Sequence, residues 1–368
     1  MNHKRRGRSL LLTLLLGGMI GLACTVPAPQ VVTETITETV EVVKEVEVVK
    51  VVAGKTVDDT KRQLVVYSGR SESLVSPILE KFTNDTGIQV KVKYGKSALV
   101  ASTILEEGDN TVADIFYSQD PGSLGLIQDQ FQTLPDSTFE GFADWTYPSD
   151  KSWVGISGRT RNVVYNTDSI DPANLPDDMW GYTDVKWKGK IGWAPTNSSF
   201  QTMVIAMQNE WGDDKTAEWL RGIQDNEPLV YPKNTPIVAA AGAGEIEVGF
   251  VNHYYLHRFI AEEGVGFKAR GYHPRAGGPG ALIMVSGAGI LDNATNVSEA
   301  LELIDYLQRS DSQAWFVENT YEYPLLPGVV ADPNAVPLDQ INVTISSPDQ
   351  LSDLGGAVAL LQSEGILP

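Results

Sequence analysis

A chain of 368 residues, 42% of them hydrophobic, has room for two domains or one large one with ample core. Its formal charge of −19 argues against nucleic acid and against adsorption to anionic lipid. A single cysteine excludes any disulfide within the chain, so core packing has to stabilise the fold.

The N-terminus is read as an export signal over residues 1–23. Lys4, Arg5, Arg6 and Arg8 precede an apolar run from Leu10 to Leu22, followed by small residues. A transmembrane anchor is the alternative, but the run is too short and wrongly flanked for a permanent span. Gly21-Leu22-Ala23-Cys24 resembles a bacterial lipobox, and Cys24 is the lone cysteine. A lone cysteine in an exported protein is a free thiol or a modified one, and its place directly after the apolar run favours lipidation. Acyl chains, at about 0.8 kcal/mol per buried CH₂, would hold the protein on the outer face of the membrane. The Arg5-Arg6 pair leaves twin-arginine export open. Without residues 1–23, 24 Lys and Arg face 47 Asp and Glu, a charge of −23.

Residues 24–56 read as a tether. VVTETITETVEVVKEVEVVKVVAGK is made mostly of Val, Thr, Glu and Lys, with no varied apolar set from which to build a core. Apolar residues at 36, 40, 43 and 46 allow a short coiled-coil stalk as the alternative.

From residue 63 strands and helices alternate. QLVVYSGR is an apolar strand stopped by Ser and Gly, and SESLVSPILEKFTNDTG is a helix closed by Gly87. IQVKVKYG alternates with period two, SALVASTILEEGDN is helical, and VADIFYSQD is a buried strand entering a loop. RNVVYNT and KGKIGWAP are predicted strands, while FQTMVIAMQNEW, DKTAEWLRGIQ and TPIVAAAGAG are predicted helices. EIEVGFVN is a strand running into the helix HYYLHRFIAEE; GALIMVSGAGIL is a strand and SEALELIDYLQRS a helix. This alternation predicts an α/β fold with mostly parallel strands, in two lobes separated by a cleft. The predicted lobes are residues 57–157 with 280–330, and residues 158–279 with 331–368. Ligands on such sheets bind at the carboxyl ends of strands, where Ser68-Gly69-Arg70 and Ser118-Gln119-Asp120 fall.

GFVNHYYLHR, residues 249–258, carries the chemistry. Asn252 is a good helix N-cap residue, placing Tyr254 and Tyr255 in the first helical turn, where the helix dipole favours phenolate over phenol. A free tyrosine titrates near pH 10, so two adjacent phenolates at neutral pH need a strong cation. Phenolate oxygen is a hard donor and suits Fe³⁺ better than zinc or copper(I). The structural alternative puts one tyrosine in the core and the other on the surface. His253 and His257 have a spacing that zinc sites use, but no third ligand accompanies them in sequence. Tyr67, Tyr117 and Tyr165, and Trp180, Trp187, Trp193, Trp211 and Trp219, read as structural.

Segments QLVVYSGRSESLVSPILEKF, ADIFYSQDPGSLG, WVGISGRTRNVVYNT, KWKGKIGWAPTNSSFQT, YPKNTPIVAAAGAGEIEVGFVNHYYL and NTYEYPLLPGV resemble, in order and spacing, the periplasmic ferric-ion-binding proteins of ABC importers. The resemblance spans residues 63–330. It implies a type II periplasmic-binding-protein fold, ferric ion as cargo held by Tyr254 and Tyr255, a monomer, and delivery to an ABC permease. Gln119 matches a position facing iron or its anion. Arg159, Ser198, Ser199, Asn234 and Asn252 match positions holding a synergistic carbonate or phosphate; the alternative for the Asn and Ser residues is helix capping. The PTNSSFQ loop opening a helix is, on its own chemistry, a plausible oxyanion cradle.

The chain departs from the pattern in two places. Some members carry a third tyrosine where this chain has Ser199 and Phe200, and many place His or Tyr where it has Ser71-Glu72. Two phenolates cannot fill an octahedral sphere, so Glu72 is taken, from position alone, as a carboxylate ligand. An oxyanion or organic-solute receptor is the alternative within the binding class, and a secreted hydrolase the alternative outside it. No nucleophile elbow, HExxH or suitably placed carboxylate pair supports an enzyme.

Overall fold

In the computed structural model, which describes residues 62–368, strands and helices alternate from the first described residues. The export signal, Cys24 and the tether lie outside the described residues. The first half runs β1 (Gln63–Ser68), α1 (Glu72–Thr86), β2 (Gln89–Tyr94), α2 (Ser97–Glu107), β3 (Ile115–Ser118) and the short α3 (Pro121–Gly125). Helix α1 forms where the apolar spacing predicts it. It buries Leu74, Val75, Ile78, Leu79 and Phe82 on one face and ends at Gly87, whose φ of 77° a side chain would strain.

Strand β4 (Trp153–Asn166) follows, then β5 (Ile191–Trp193), α4 (Ser198–Trp211), α5 (Asp213–Asp225), β6 (Leu229–Val230) and α6 (Asn234–Ala243). After these come β7 (Val248–Asn252), α7 (Tyr254–Glu263), β8 (Ala269–Tyr272), β9 (Leu282–Ile290), α8 (Val297–Gln308), α9 (Ser310–Thr320), β10 (Thr344–Ile345) and α10 (Leu354–Ser363). Among the described residues no helix is long and apolar enough to cross a membrane.

The strand order is β2-β1-β3-β9-β4-β7-β5-β6, with β10 on β9 and β8 on β4. The flanks are parallel, as expected: β1 pairs with β2 and β3, and β5 with β6 and β7. The centre is not. β9 runs antiparallel to β3 and β4, and β4 antiparallel to β7 and β8. Connections of βαβ type give the parallel flanks. The central strands have no such crossover to their neighbours, and alternation of elements alone does not reveal that.

β4 is the strand that both halves share. Residues 153–160 pair with β9, and Arg161–Tyr165 pair with β7. All fourteen of its residues are buried, including Arg159 and Arg161. Tyr67, Tyr117 and Tyr165 lie in the core, as do Trp187, Trp193 and Trp219. Trp180 and Trp211 are part-buried and pack on each other at 5.1 Å.

Candidate functional site

The turn from β7 into α7 brings two rings together. Successive helical side chains diverge by about 100°, yet the Tyr254 and Tyr255 rings stack with centroids 4.2 Å apart and planes 29° apart. The backbone changes from strand to helix over just these residues, which allows it. Tyr254 is fully buried and Tyr255 is 7% exposed, so neither is a surface residue and the core-and-surface alternative is overturned. His253, already helical at φ −56° and ψ −41°, holds the N-cap position without a side-chain capping bond. The expectation that Asn252 caps the helix is therefore corrected. Asn252 is the last strand residue, directly opposite Arg161, and it accepts a hydrogen bond from Arg161 Nη1 at 2.9 Å. Its side chain serves the cluster instead.

His253 is spoken for. Its Nδ1 accepts from the Thr160 amide at 3.2 Å and its Nε2 bonds the Tyr321 carbonyl at 3.0 Å, which requires the neutral Nε2–H form. Burial, then His257 and His273, hold it well below its usual pKa. Among the described residues no group of three His, Cys, Asp or Glu side chains is arranged to hold a metal, and zinc finds no site at His253 and His257.

The electrostatics around Tyr254 are cationic. Arg159 lies 5.6 Å from its ring centroid. Arg159 and Arg70 share the carboxylate of Glu322, and all three side chains are fully buried. Burial alone would raise the Glu322 carboxyl, but Arg159 and Arg70 hold it down to about 2. Arg161 has no carboxylate: burial pushes it down to about 9, and its Nε and Nη2 have no partner. The Tyr254 hydroxyl is also buried and unpartnered; burial, then Tyr255, push it well above its usual pKa, and Arg159 pulls the other way. Buried polar groups are nearly always satisfied, so this concentration of orphans marks a place where a ligand supplies the partners.

Across from the tyrosines a polar chain continues. Ser199 Oγ accepts from Gln119 Nε2 and from Asn252 Nδ2, each at 3.2 Å. The Gln119 amide donates to Ser97 Oγ at 3.0 Å, and its carbonyl accepts from Arg159 Nη1. Ser198 and Ser199 occupy the first turn of α4, whose leading amides no earlier turn can satisfy. Asn234 opens α6; it donates to Asn197 Oδ1 at 3.3 Å and its own Oδ1 is unpartnered. The residues at the N-cap positions are Asn197, Lys233 and His253, so none of Ser198, Ser199, Asn234 and Asn252 is a cap.

The residues matched to the bacterial extracellular solute-binding protein model run from 78 to 339. The chain belongs to that family. Its relatives include the major ferric iron-binding protein of Neisseria meningitidis serogroup A, 33% identical over 309 residues, covering 82% of this chain and 93% of the relative. The Fe(3+)-binding periplasmic protein of Serratia marcescens is 27% identical, over 83% of this chain and 90% of its own. Among solved structures, iron-bound HitA from Pseudomonas aeruginosa superposes with a TM-score of 0.79 at 28% identity, over 83% of this chain and 99% of that one. The iron- and citrate-bound Trichodesmium FutA gives 0.69 at 26%, with 83% and 100% covered. The resemblance read from the sequence and the two-lobed α/β fold both stand.

Within this solute-binding protein the structure joins Tyr254, Tyr255, Gln119, Arg159, Ser199 and Asn252 in one cluster, with Ser198 and Asn234 beside it. It does not bring in Glu72. That side chain is exposed in the first turn of α1, where the titratable group it acts on is Tyr94, and no hydrogen bond or ion pair joins it to the tyrosines. Sequence reasoning missed Arg161 and Glu322, and it placed Arg70 at the ligand end of β1 without giving it a role. The signal for Arg161 was present, a second charged residue two positions after Arg159, at the head of the predicted strand RNVVYNT. Nothing local marks Glu322.

Proposed function

We propose that this protein binds ferric ion outside the cytoplasmic membrane through the phenolates of Tyr254 and Tyr255, together with a carbonate or phosphate, and delivers it to the permease of an ABC importer. The observation that carries this is the stacked, buried tyrosine pair with an orphaned hydroxyl, set among buried charges that do not cancel. Arg70, Arg159 and Arg161 against Glu322 leave two positive charges in excess. Two phenolates balance them. A trivalent cation then adds charge that only an anion can offset, and phenolate oxygen is a donor for a hard ion of that charge. The anion's partners are Arg159, whose Nε is unpartnered, the free N–H groups of Arg161, the first turn of α4 with Ser198 and Ser199, Asn234 and Asn252. Gln119 faces iron or the anion. Glu72, exposed in the first turn of α1, is a carboxylate ligand by its position in the sequence alone. Relatives named for ferric iron binding support the cargo.

No covalent step is needed. The lobes, residues 57–157 with 280–330 and 158–279 with 331–368, meet along β4 and close on the ion, which stabilises the closed form by its greater affinity for it. Lipid on Cys24 and the tether of residues 24–56 keep the monomer beside its permease. A metal-free oxyanion receptor is the second reading, favoured by the unpartnered Arg161.

The deciding experiment strips the full chain of metal and titrates it with chelated Fe³⁺ in carbonate and in phosphate buffer. A visible charge-transfer band saturating at one iron per chain, lost in Tyr254→Phe and Tyr255→Phe, is expected. A colourless protein that takes up phosphate alone would leave the oxyanion receptor.

A further inference from the structure

The segment 321–323, which follows α9, reaches the neighbours of the tyrosine pair by two routes. Tyr321 adopts a left-handed φ of 61°, strained for an aromatic residue, and its amide closes α9 on the Val317 carbonyl at 3.2 Å. Tyr323 then bridges Gly158 of β4 through reciprocal backbone bonds of 2.7 and 2.8 Å. One contact runs to the residue preceding the pair. The His253 ring stacks on Tyr323 at 4.5 Å, and its Nε2–H reaches the Tyr321 carbonyl.

The other contact runs through Glu322, which is 1% exposed. Its carboxylate accepts a bidentate pair from Arg70 at 2.8 Å each, and further bonds from Ser157 Oγ at 3.0 Å and Thr320 Oγ1 at 3.1 Å. Arg159 Nη2 lies 2.7 Å from Oε1, off the direction of a hydrogen bond, as expected of a shared rather than a dedicated ion pair. Arg159 is thus held by Glu322 on one side and the Gln119 carbonyl on the other, with its guanidinium carbon 5.6 Å from the Tyr254 ring centroid and no hydrogen bond to the Tyr254 hydroxyl.

We propose that Glu322 is a positioning residue of the metal site: it holds Arg159 against the ring of Tyr254 so that the phenolate oxygen stays free for iron. This rests on the iron-binding function proposed above. A guanidinium without a counter-ion beside a phenolate pairs with its oxygen, and charge-assisted pairs of that kind are the strong ones. Such a pair competes with iron for the same lone pairs. Held on the ring, the same charge favours phenolate without occupying its donor atom.

The test titrates the full chain with ferric nitrilotriacetate and follows the visible band. Glu322→Gln keeps the shape but leaves two buried guanidiniums unpaired, which endangers folding. The double variant Arg70→Met, Glu322→Gln halves this burden: one positive and one negative charge leave together, the net charge beside Tyr254 is unchanged, and only Arg159 loses its carboxylate. In that variant the expected result is a shifted band maximum and an iron affinity at least tenfold weaker. Glu322→Asp, which keeps the charge, should retain the wild-type band. A double variant with wild-type band position and affinity, even if it melts at a lower temperature, overturns the positioning role. A wild-type chain without a band overturns the iron-binding function and this inference with it, whereas a wild-type band that the double variant shares overturns this inference alone.

Discussion

Replacing Tyr254 by Phe should stabilise the metal-free protein and abolish iron binding, two effects of opposite sign from one oxygen. In the free protein the hydroxyl is fully buried and has no partner. A buried polar group left unsatisfied costs about 1–3 kcal/mol. Phenylalanine removes that cost while keeping the ring stacked on Tyr255 and edge-on to His253 at 5.9 Å. The void left by one oxygen returns part of the gain, so a net stabilisation of about 1–2 kcal/mol is expected, a rise in Tm of roughly 1–3 °C for a protein of this size. The assay is a pair of calorimetric melts at neutral pH, without metal and in a buffer free of carbonate and phosphate. Repeated with iron, the wild type should rise with ligand concentration and the variant should not. Tyr255→Phe is the control, because its hydroxyl is not among the buried orphans, and it should lose iron without the gain in the free protein. A Tyr254→Phe protein that melts below the wild type without metal would show that the hydroxyl is bonded in the free state, and would refute the reasoning.

Glu322 should impose an acid limit. Its carboxyl sits at about 2 in the folded protein against 4.5 for the free group, so its stabilisation, on the order of 3 kcal/mol, is complete above pH 4.5 and lost as pH falls towards 2. Melts between pH 2 and 7 should show a wild-type decline over that window that the double variant Arg70→Met, Glu322→Gln lacks; parallel curves would deny it. Gly69→Ala should cost about 1–3 kcal/mol by denaturant titration, because the added carbon would lie 2.6 Å from Ser97 Cα, and Ser97 Oγ holds the Gln119 amide. An unchanged midpoint would mean the loop yields freely. Arg161→Met should leave the free protein as stable or more so, since it replaces a buried charge lacking a carboxylate by an apolar chain of similar length. The same variant should lose the rise in Tm that phosphate gives the wild type, and a retained rise would place the anion elsewhere.

Much of the fold was legible because its signals are local. The apolar face of α1 and the glycine that ends it lie within sixteen residues of chain, and the alternating exposure of β2 within six. The tyrosine pair was legible for the same reason: adjacent phenols at a strand-to-helix turn are a chemical statement by themselves. The capping role read for Asn252 failed because its partner, Arg161, is set by strand register, and register is not written in either strand alone. Glu72 was chosen by position, and burial, which position does not carry, leaves it exposed.

By itself, the sequence determined the alternation of elements, the family, and the phenols that make the candidate site. The export signal, Cys24 and the tether are likewise readings of sequence alone. Only the tertiary structure decided which charges surround those phenols. Arg70 and Glu322 are separated by 252 positions in the chain, and Gln119 and Ser199 by 80. Their pairing depends on β4 passing through the centre of the sheet and on α9 returning the chain to it. Burial then converts a pair that water would screen into one that holds Arg159 in place.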